Sequence, residues 1–501
     1  MADNGAAPSI LGRKTTRRAV IATAVAAGSV AAAYAALGDP LSLFGGEGGS
    51  SPSGVLSDTN AIKRESVRIS HLLRRAGFGV SPDEFERYQS LGLSKTIDEL
   101  VGYAAVDDAA AEALASQVPT DGANRNNLPL WWLVRMANTK RPLQEKMTLF
   151  WHGLLTSQLS VVQDGEAMLA QNEFFRTHAL DDYHAILSGI TMDRAMMVYL
   201  DMAGSIKRAP NENYARELME LFSMGVGNYT EQDIREAARA FTGWVVARTN
   251  LGQNLFRLEA PVFRSDRFDD GSKTFLGRSG SFQAEDVVSI IVEQPATTSF
   301  ITRRLFSYFI YPSPDDKALA PFISVYEKTG RDIGAVVEAM LRSDVFYSPR
   351  AYRAIVKSPV EYVVSAVKAL GAQESMLQVL TRARALLTTM GQIPFEPPNV
   401  AGWPGGPTWL NSATIFARLN FINQLAATTA GGGGGGVGPP PNLGTAAQAL
   451  DYYLPLALDD NLPDAARQVL LDYASAGGQL TPELLRGVAY LVLASPQFQL
   501  S

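Results

Sequence analysis

The chain has no cysteine. That excludes disulfides, thiol catalysis, iron–sulfur clusters, thiolate-bound zinc and a lipid-anchored N-terminal cysteine. Histidine is nearly as scarce: His71, His152, His178 and His184 are all that 501 residues contain. A metal site would have to lean on carboxylates or on these few imidazoles. Charged residues make up 19% and leave a net charge of −6, which repels phosphate backbones and argues against a nucleic-acid partner. No phosphate-binding glycine loop, G-x-S-x-G elbow or H-E-x-x-H pair is present, and the glycine run at 431–436 follows no strand. Hydrophobic residues make up 46%, ample for a large core, and the length allows two or three domains.

The N-terminus sets four cations, Arg13, Lys14, Arg17 and Arg18, against Asp3 and ahead of an alanine-rich run to Leu37. A charged segment before a soft apolar one reads as an export signal over residues 1–37. Thr16-Arg17-Arg18-Ala19-Val20-Ile21 is similar to the twin-arginine pattern, and Ala33-Tyr34-Ala35 offers a small-x-small cleavage site. An uncleaved anchor is the alternative, but the alanine content makes membrane insertion marginal. No later segment reads as a transmembrane helix. The expected location is therefore periplasmic, cell-surface or extracellular. Residues 38–60, rich in Gly, Ser and Pro, read as a flexible tether.

From residue 61 to 430 the pattern predicts one main all-α, multi-helix globular domain with a small inserted β-hairpin. Ser81-Pro82-Asp83-Glu84 and Thr230-Glu231-Gln232-Asp233 open helices with capping residues. Helical spacing recurs over 129–137, 142–157, 165–180, 183–199, 211–224 and several stretches between 284 and 427. The alternation over 254–276, with Asp269-Asp270-Gly271 as turn signal, predicts the hairpin. Pro394 to Pro407 is a Pro/Gly loop carrying Trp403, with Trp409 just beyond; tryptophans are poor linker residues, so an ordered, packed loop is expected. Residues 431–442 read as a Gly/Pro linker. Residues 443–501 read as a C-terminal helical segment docking on the main domain.

Candidate chemistry is sparse. On the helix from Asn211, Tyr214, Leu218, Leu221 and Phe222 form an apolar stripe, while Asn213, Glu217 and Glu220 line the other side and Arg216 can pair with Glu212 and Glu220. Taken alone this describes an ordinary amphipathic helix. His178 with Asp182, and Asp181 with His184, have spacings that can hold a metal or share a proton, although a histidine near a helix end more often caps or pairs there. His152, beside Trp151 on an apolar helix, reads as a packed core histidine. Arg264 to Lys273 is a mixed-charge stretch that could close a site.

Taken together, blocks of this chain resemble the bacterial family known as domain of unknown function 1800. They are His71 to Gly79, Phe150-Trp151-His152, Ala195 to Asp201, Asn211 to Leu221, Ala238 to Trp244, Lys273 to Gly277, Lys357 to Glu361 and Pro397 to Pro404, in that order. The resemblance implies an exported protein of unestablished activity. It also implies an exported partner similar to sulfatases and alkaline phosphatases, and a role on an envelope or exogenous polymer. It keeps His152, Arg176, His178, Asn211, Glu212, Arg216, Glu217 and Lys273, but implies histidines where this chain has Leu154, Phe222 and Phe268. With all three apolar, an inherited imidazole cluster is not expected.

Two functions are compatible with these features. The first is a binding or assembly component acting outside the cytoplasm on such a partner or polymer, with Arg176, Asn211, Arg216, Lys273 and Trp403 as binding candidates. The second is a hydrolase or carboxylate-based metal enzyme. There Glu217 or Glu212 would be general base or ligand, His152 or His178 the partner and Arg216 an anion clamp. The metal and any cofactor are unspecified. The second reading requires Glu212, Arg216 and Glu217 to converge with His152 or His178 in one cleft.

Overall fold

The computed structural model of the chain describes residues 59–252, 255–371, 376–429, 443–475 and 480–501. The predicted export signal, nearly all of the tether and the linker at 431–442 lie outside the described residues. The rest is mainly α-helical. Ten helices build and surround the candidate site: α1 (Glu65–Arg75), α2 (Leu128–Asn138), α3 (Pro142–Leu154), α4 (Gly165–Thr177), α5 (Pro295–Phe309), α6 (Pro359–Ala369), α7 (Met376–Met390), α8 (Ser412–Thr429), α9 (Ala446–Leu458) and α10 (Pro482–Ala494). No described helix is long and apolar enough to cross a membrane.

Local signals place many of the boundaries. Ser81 and Thr230 form full capping boxes with Glu84 and Asp233, and Ser358 does the same with Glu361 at the start of α6, where Pro359 fits the first helical position. The helix expected over 183–199 is instead two, Tyr183–Thr191 and Arg194–Tyr199. Asp193 is the cause: its carboxylate accepts the Met196 N–H and starts a new helix. The segment from Asn213 ends in a π-helical turn over Leu218–Ser223.

The β insert is three antiparallel pairs. β1 (Trp244–Val245) pairs with β4 (Val262–Phe263), β2 (Arg248–Gly252) with β3 (Leu255–Leu258), and β5 (Lys273–Phe275) with β6 (Arg278–Gly280). Asp269-Asp270-Gly271 is not the turn of the hairpin, which is β2–β3. It links β4 to β5, and the Asp269 carboxylate is held by Arg239 and by the Gly271 N–H. The insert is fastened through Leu258, whose N–H donates to Asp164 (2.6 Å) and whose carbonyl accepts from Arg194 (2.6 Å).

Two large apolar cores lie side by side. One gathers α1, the α3 face bearing Met147, Phe150 and Trp151, and the helices from Tyr183 to Leu341. The other gathers α2, α6, α7, α8, α9 and α10. A carboxylate in the second half clamps the first: Asp459, at the end of α9, forms an ion pair with Arg74 of α1 and accepts from Tyr352 (2.8 Å). Nearby, the ammonium of Lys357 is buried 3.6 Å above the Phe498 ring, and desolvation together with the Arg74 charge drives its pKa well below the usual lysine value.

Helix α3 runs between the cores and is buried along nearly its whole length. A helix hydrophobic on all sides is expected in such a place, yet α3 carries Glu145, Lys146 and His152. Each therefore needs a partner, because an unpaired buried polar or charged group is costly. Glu145 accepts from Trp132 Nε1 (2.8 Å), Arg135 Nε (2.8 Å) and Arg176 Nη2 (3.1 Å). Lys146 forms an ion pair with Glu361. His152 finds its partner in the backbone of the Pro/Gly loop.

Candidate functional site

The loop from Pro394 is pinned to the end of α3. The Phe395 N–H donates to His152 Nε2 (3.0 Å), the Leu159 N–H donates to the Phe395 carbonyl (2.9 Å), and the Thr156 hydroxyl donates to the Val400 carbonyl (2.6 Å). Because His152 Nε2 accepts, a neutral ring carries its proton on Nδ1. Gly402 lies flat on the helix end. Its φ is +79°, and a Cβ there would stand 2.3 Å from the Gly153 carbonyl oxygen. This close approach brings Trp403 beside the His152 ring, 5.6 Å between centroids. Trp132 and Phe395 close the other sides of that imidazole, at 5.3 and 5.4 Å.

Burial drives the His152 pKa down to about 3, so the ring is neutral at physiological pH. Its unfolded counterpart titrates near 6.5. Between these values the unfolded chain binds the extra proton, so stability is complete above pH ~6.5 and falls as the pH is lowered toward 3, by a limiting amount on the order of 3–5 kcal/mol. In urea titrations the wild type should therefore lose stability across this window relative to His152→Asn. Parallel curves for the two proteins would show that the ring is not held neutral.

On the outer side of this wall lies a cleft of about 460 Å³ between the end of α3, α5 and the loop, closed at one side by residues 355–361. Trp403, Trp409 and Tyr308 give it aromatic surface, and Arg303, Arg304, Ser307, Gln392 and Glu361 give it polar groups. Two of its three charged side chains are neutralised. Arg303 donates to Asp316 (2.7 Å) and to the Pro314 carbonyl (2.6 Å). Glu361 is paired with Lys146 and accepts the Ser358 N–H (2.7 Å), and these contacts hold its carboxyl below the usual range against the effect of burial. Arg304 has no carboxylate or carbonyl partner among the described residues. Its side chain reaches solvent, yet the surrounding protein lowers its pKa by desolvation. A groove of about 530 Å³ on another face, beside Trp131, is lined by Glu112, Asp121 and Glu173, and its arginine, Arg135, is committed to Glu145 and Glu112.

The residues singled out in the sequence are dispersed. Trp403 lines the cleft and His152 supports it from behind. Glu212 and Arg216 stand at the surface, where Arg216 forks onto Glu231 (2.8 and 2.9 Å). Asn211 donates to the Asp201 carbonyl (3.3 Å) and accepts the Asn213 N–H. Glu217 is half-buried near Tyr199, and burial with the Glu220 charge lifts its carboxyl above the ordinary value. His178 pairs with Asp181 (2.8 Å) at another surface, and His184 meets the Ser289 hydroxyl (2.9 Å). Arg176 is not presented to a ligand: it is 3% exposed and occupied by Glu145, Asn172 and Glu173. Lys273 is likewise consumed, its ammonium donating to the Asp269 and Gly271 carbonyls. Among the described residues no hydrogen bond or ion pair joins Glu212, Arg216 or Glu217 to His152 or His178. Among the described residues no three of His, Asp and Glu gather to hold a metal ion.

Of the positions where the resemblance implied histidine, Leu154 and Phe222 are buried in the first core, and Phe268 packs on Phe263. Nothing in the sequence marked Arg304. Adjacent arginines on an amphipathic helix look alike until the fold assigns Asp316 to one of them. A family model described as "Protein of unknown function (DUF1800)" matches residues 71–500. No curated protein and no solved structure matches the chain.

Proposed function

The chain belongs to the DUF1800 family, and from that premise we propose that it is a binding component acting outside the cytoplasm, taking an envelope polymer into the cleft walled by Trp403. What supports this is a built concavity: the His152 tether and the Gly402 contact hold an indole against a cleft that also presents Trp409, Tyr308 and Arg304. Preformed clefts with aromatic surface and a few convergent polar groups are the usual form of binding sites. Glu361, the carboxylate lining this cleft, is already engaged with Lys146 and Ser358, which favours binding over acid–base chemistry there.

The location is tested separately. The positive front and alanine-rich stretch predict that Arg17→Lys together with Arg18→Lys strands the protein in the cytosol of its native host, as read by fractionation and immunoblot. Unchanged export of this variant, or a wild type found only in the cytosol, would remove the extracytoplasmic reading.

A further inference from the structure

We infer that the ligand of this cleft is an anionic glycan, one whose carboxylate or phosphate group sits on the Arg304 guanidinium while its sugar faces lie on Trp403 and Tyr308. The inference rests on the proposed binding role and names its chemical class. Of the charged side chains lining the cleft, Arg303 is paired with the exposed Asp316 and held by the Pro314 carbonyl, and Glu361 is paired with Lys146. Arg304 alone is left without a counter-charge among the described residues; its guanidinium lies over the Phe300 ring (5.9 Å) and its side chain reaches both solvent and the cleft. A guanidinium keeps its charge at any physiological pH, and its planar fork matches carboxylate and phosphate oxygens. The chain as a whole is acidic, so it offers an anion no general attraction, and a site for one must be local.

A glycan is favoured over an acidic peptide by the rest of the lining. Trp403 and Tyr308 supply ring surface, the Tyr308 hydroxyl being held by the Lys146 carbonyl (3.1 Å), and such apolar faces suit flat sugar rings. Ser307 and Gln392 stand beside them, and the Gln392 side-chain oxygen is engaged by the Val360 N–H (3.0 Å), which leaves its NH₂ donors for hydroxyl oxygens.

The test uses the full mature chain, immobilised, and the polysaccharide fraction of the native host's envelope in three preparations: untreated, carboxyl-reduced, and dephosphorylated with hydrofluoric acid. The untreated fraction should be retained, and one of the two neutralised fractions should be retained at least tenfold less, which identifies the anion. Arg304→Gln should hold the untreated fraction as weakly as the wild type holds the neutralised one, while its thermal midpoint stays unchanged. Equal retention of all three fractions, an unaffected Arg304→Gln, or loss of retention after protease digestion of the untreated fraction would overturn the inference. Retention that Trp403→Ala also leaves intact, or no retention of the untreated fraction, would instead remove the binding role itself.

Discussion

Replacing Glu145 by glutamine should destabilise the protein by about 3–5 kcal/mol, the range seen when one member of a buried ion pair is lost. The carboxylate is fully buried and serves Arg135, Arg176 and Trp132 together. Neutralising it leaves two guanidiniums in the interior facing an amide that can satisfy only part of the network. Arg135 retains a 3.3 Å contact to Glu112, and Arg176 retains Glu173, but both of those carboxylates are about half exposed and partly screened. Urea unfolding at neutral pH measures the loss. Adding Arg176→Gln to the first change should cost much less than the sum of the two single variants, because the second removes a charge the first had orphaned. Strict additivity would mean that the cluster is not a coupled unit. The same arginines pull the Glu145 pKa below the ordinary value despite burial, so this contribution is present above the unfolded carboxylate pKa and fades as the pH falls through the lower folded one.

Gly402→Ala is expected to abolish retention of the envelope fraction and to cost about 2–4 kcal/mol, combining left-handed backbone strain of roughly 1–2 kcal/mol with a steric conflict. The obstacle at 2.3 Å is the backbone oxygen of Gly153, which has no rotamer to retreat into. The loop must lift, and with it go the Phe395–His152 hydrogen bond and the position of Trp403. Gly330→Ala, away from the cleft, is the control: it shares a positive φ, +71°, but a Cβ there meets nothing within 4 Å. That variant should show the strain cost alone, with binding retained. Trp fluorescence should shift to the red in the first variant and not in the second. Equal behaviour of the two would show that the close contact is immaterial.

How much of this could be read in advance depends on the range of the interaction. Ser81, Thr230 and Ser358 act on residues three positions away, so their helix starts are visible in the sequence or become obvious once the helix is seen. Asp193 was hidden because apolar periodicity runs through Met192 and Met196 and masks a break made by one carboxylate. Trp403 was legible as a packed loop residue, and His152 as a core histidine, because each is conspicuous in its own surroundings. What His152 does there was not: its partner, Phe395, is 243 residues away. That Glu212, Arg216 and Glu217 bond to neither histidine was equally beyond sequence, since helical spacing says which residues share a face and nothing of what that face meets.

The second core draws one early helix from residues 128–138 and its last from residues 482–494. A ribosome making roughly 5–20 residues per second needs about 15–60 s to travel from Ala137 to Ala446. Through that interval the core to which α2 contributes lacks α9 and α10, which pack on α6 and α8. Folding from the N-terminus onward cannot finish this half, and the nascent chain must be kept from sticking to others until its closing helices emerge.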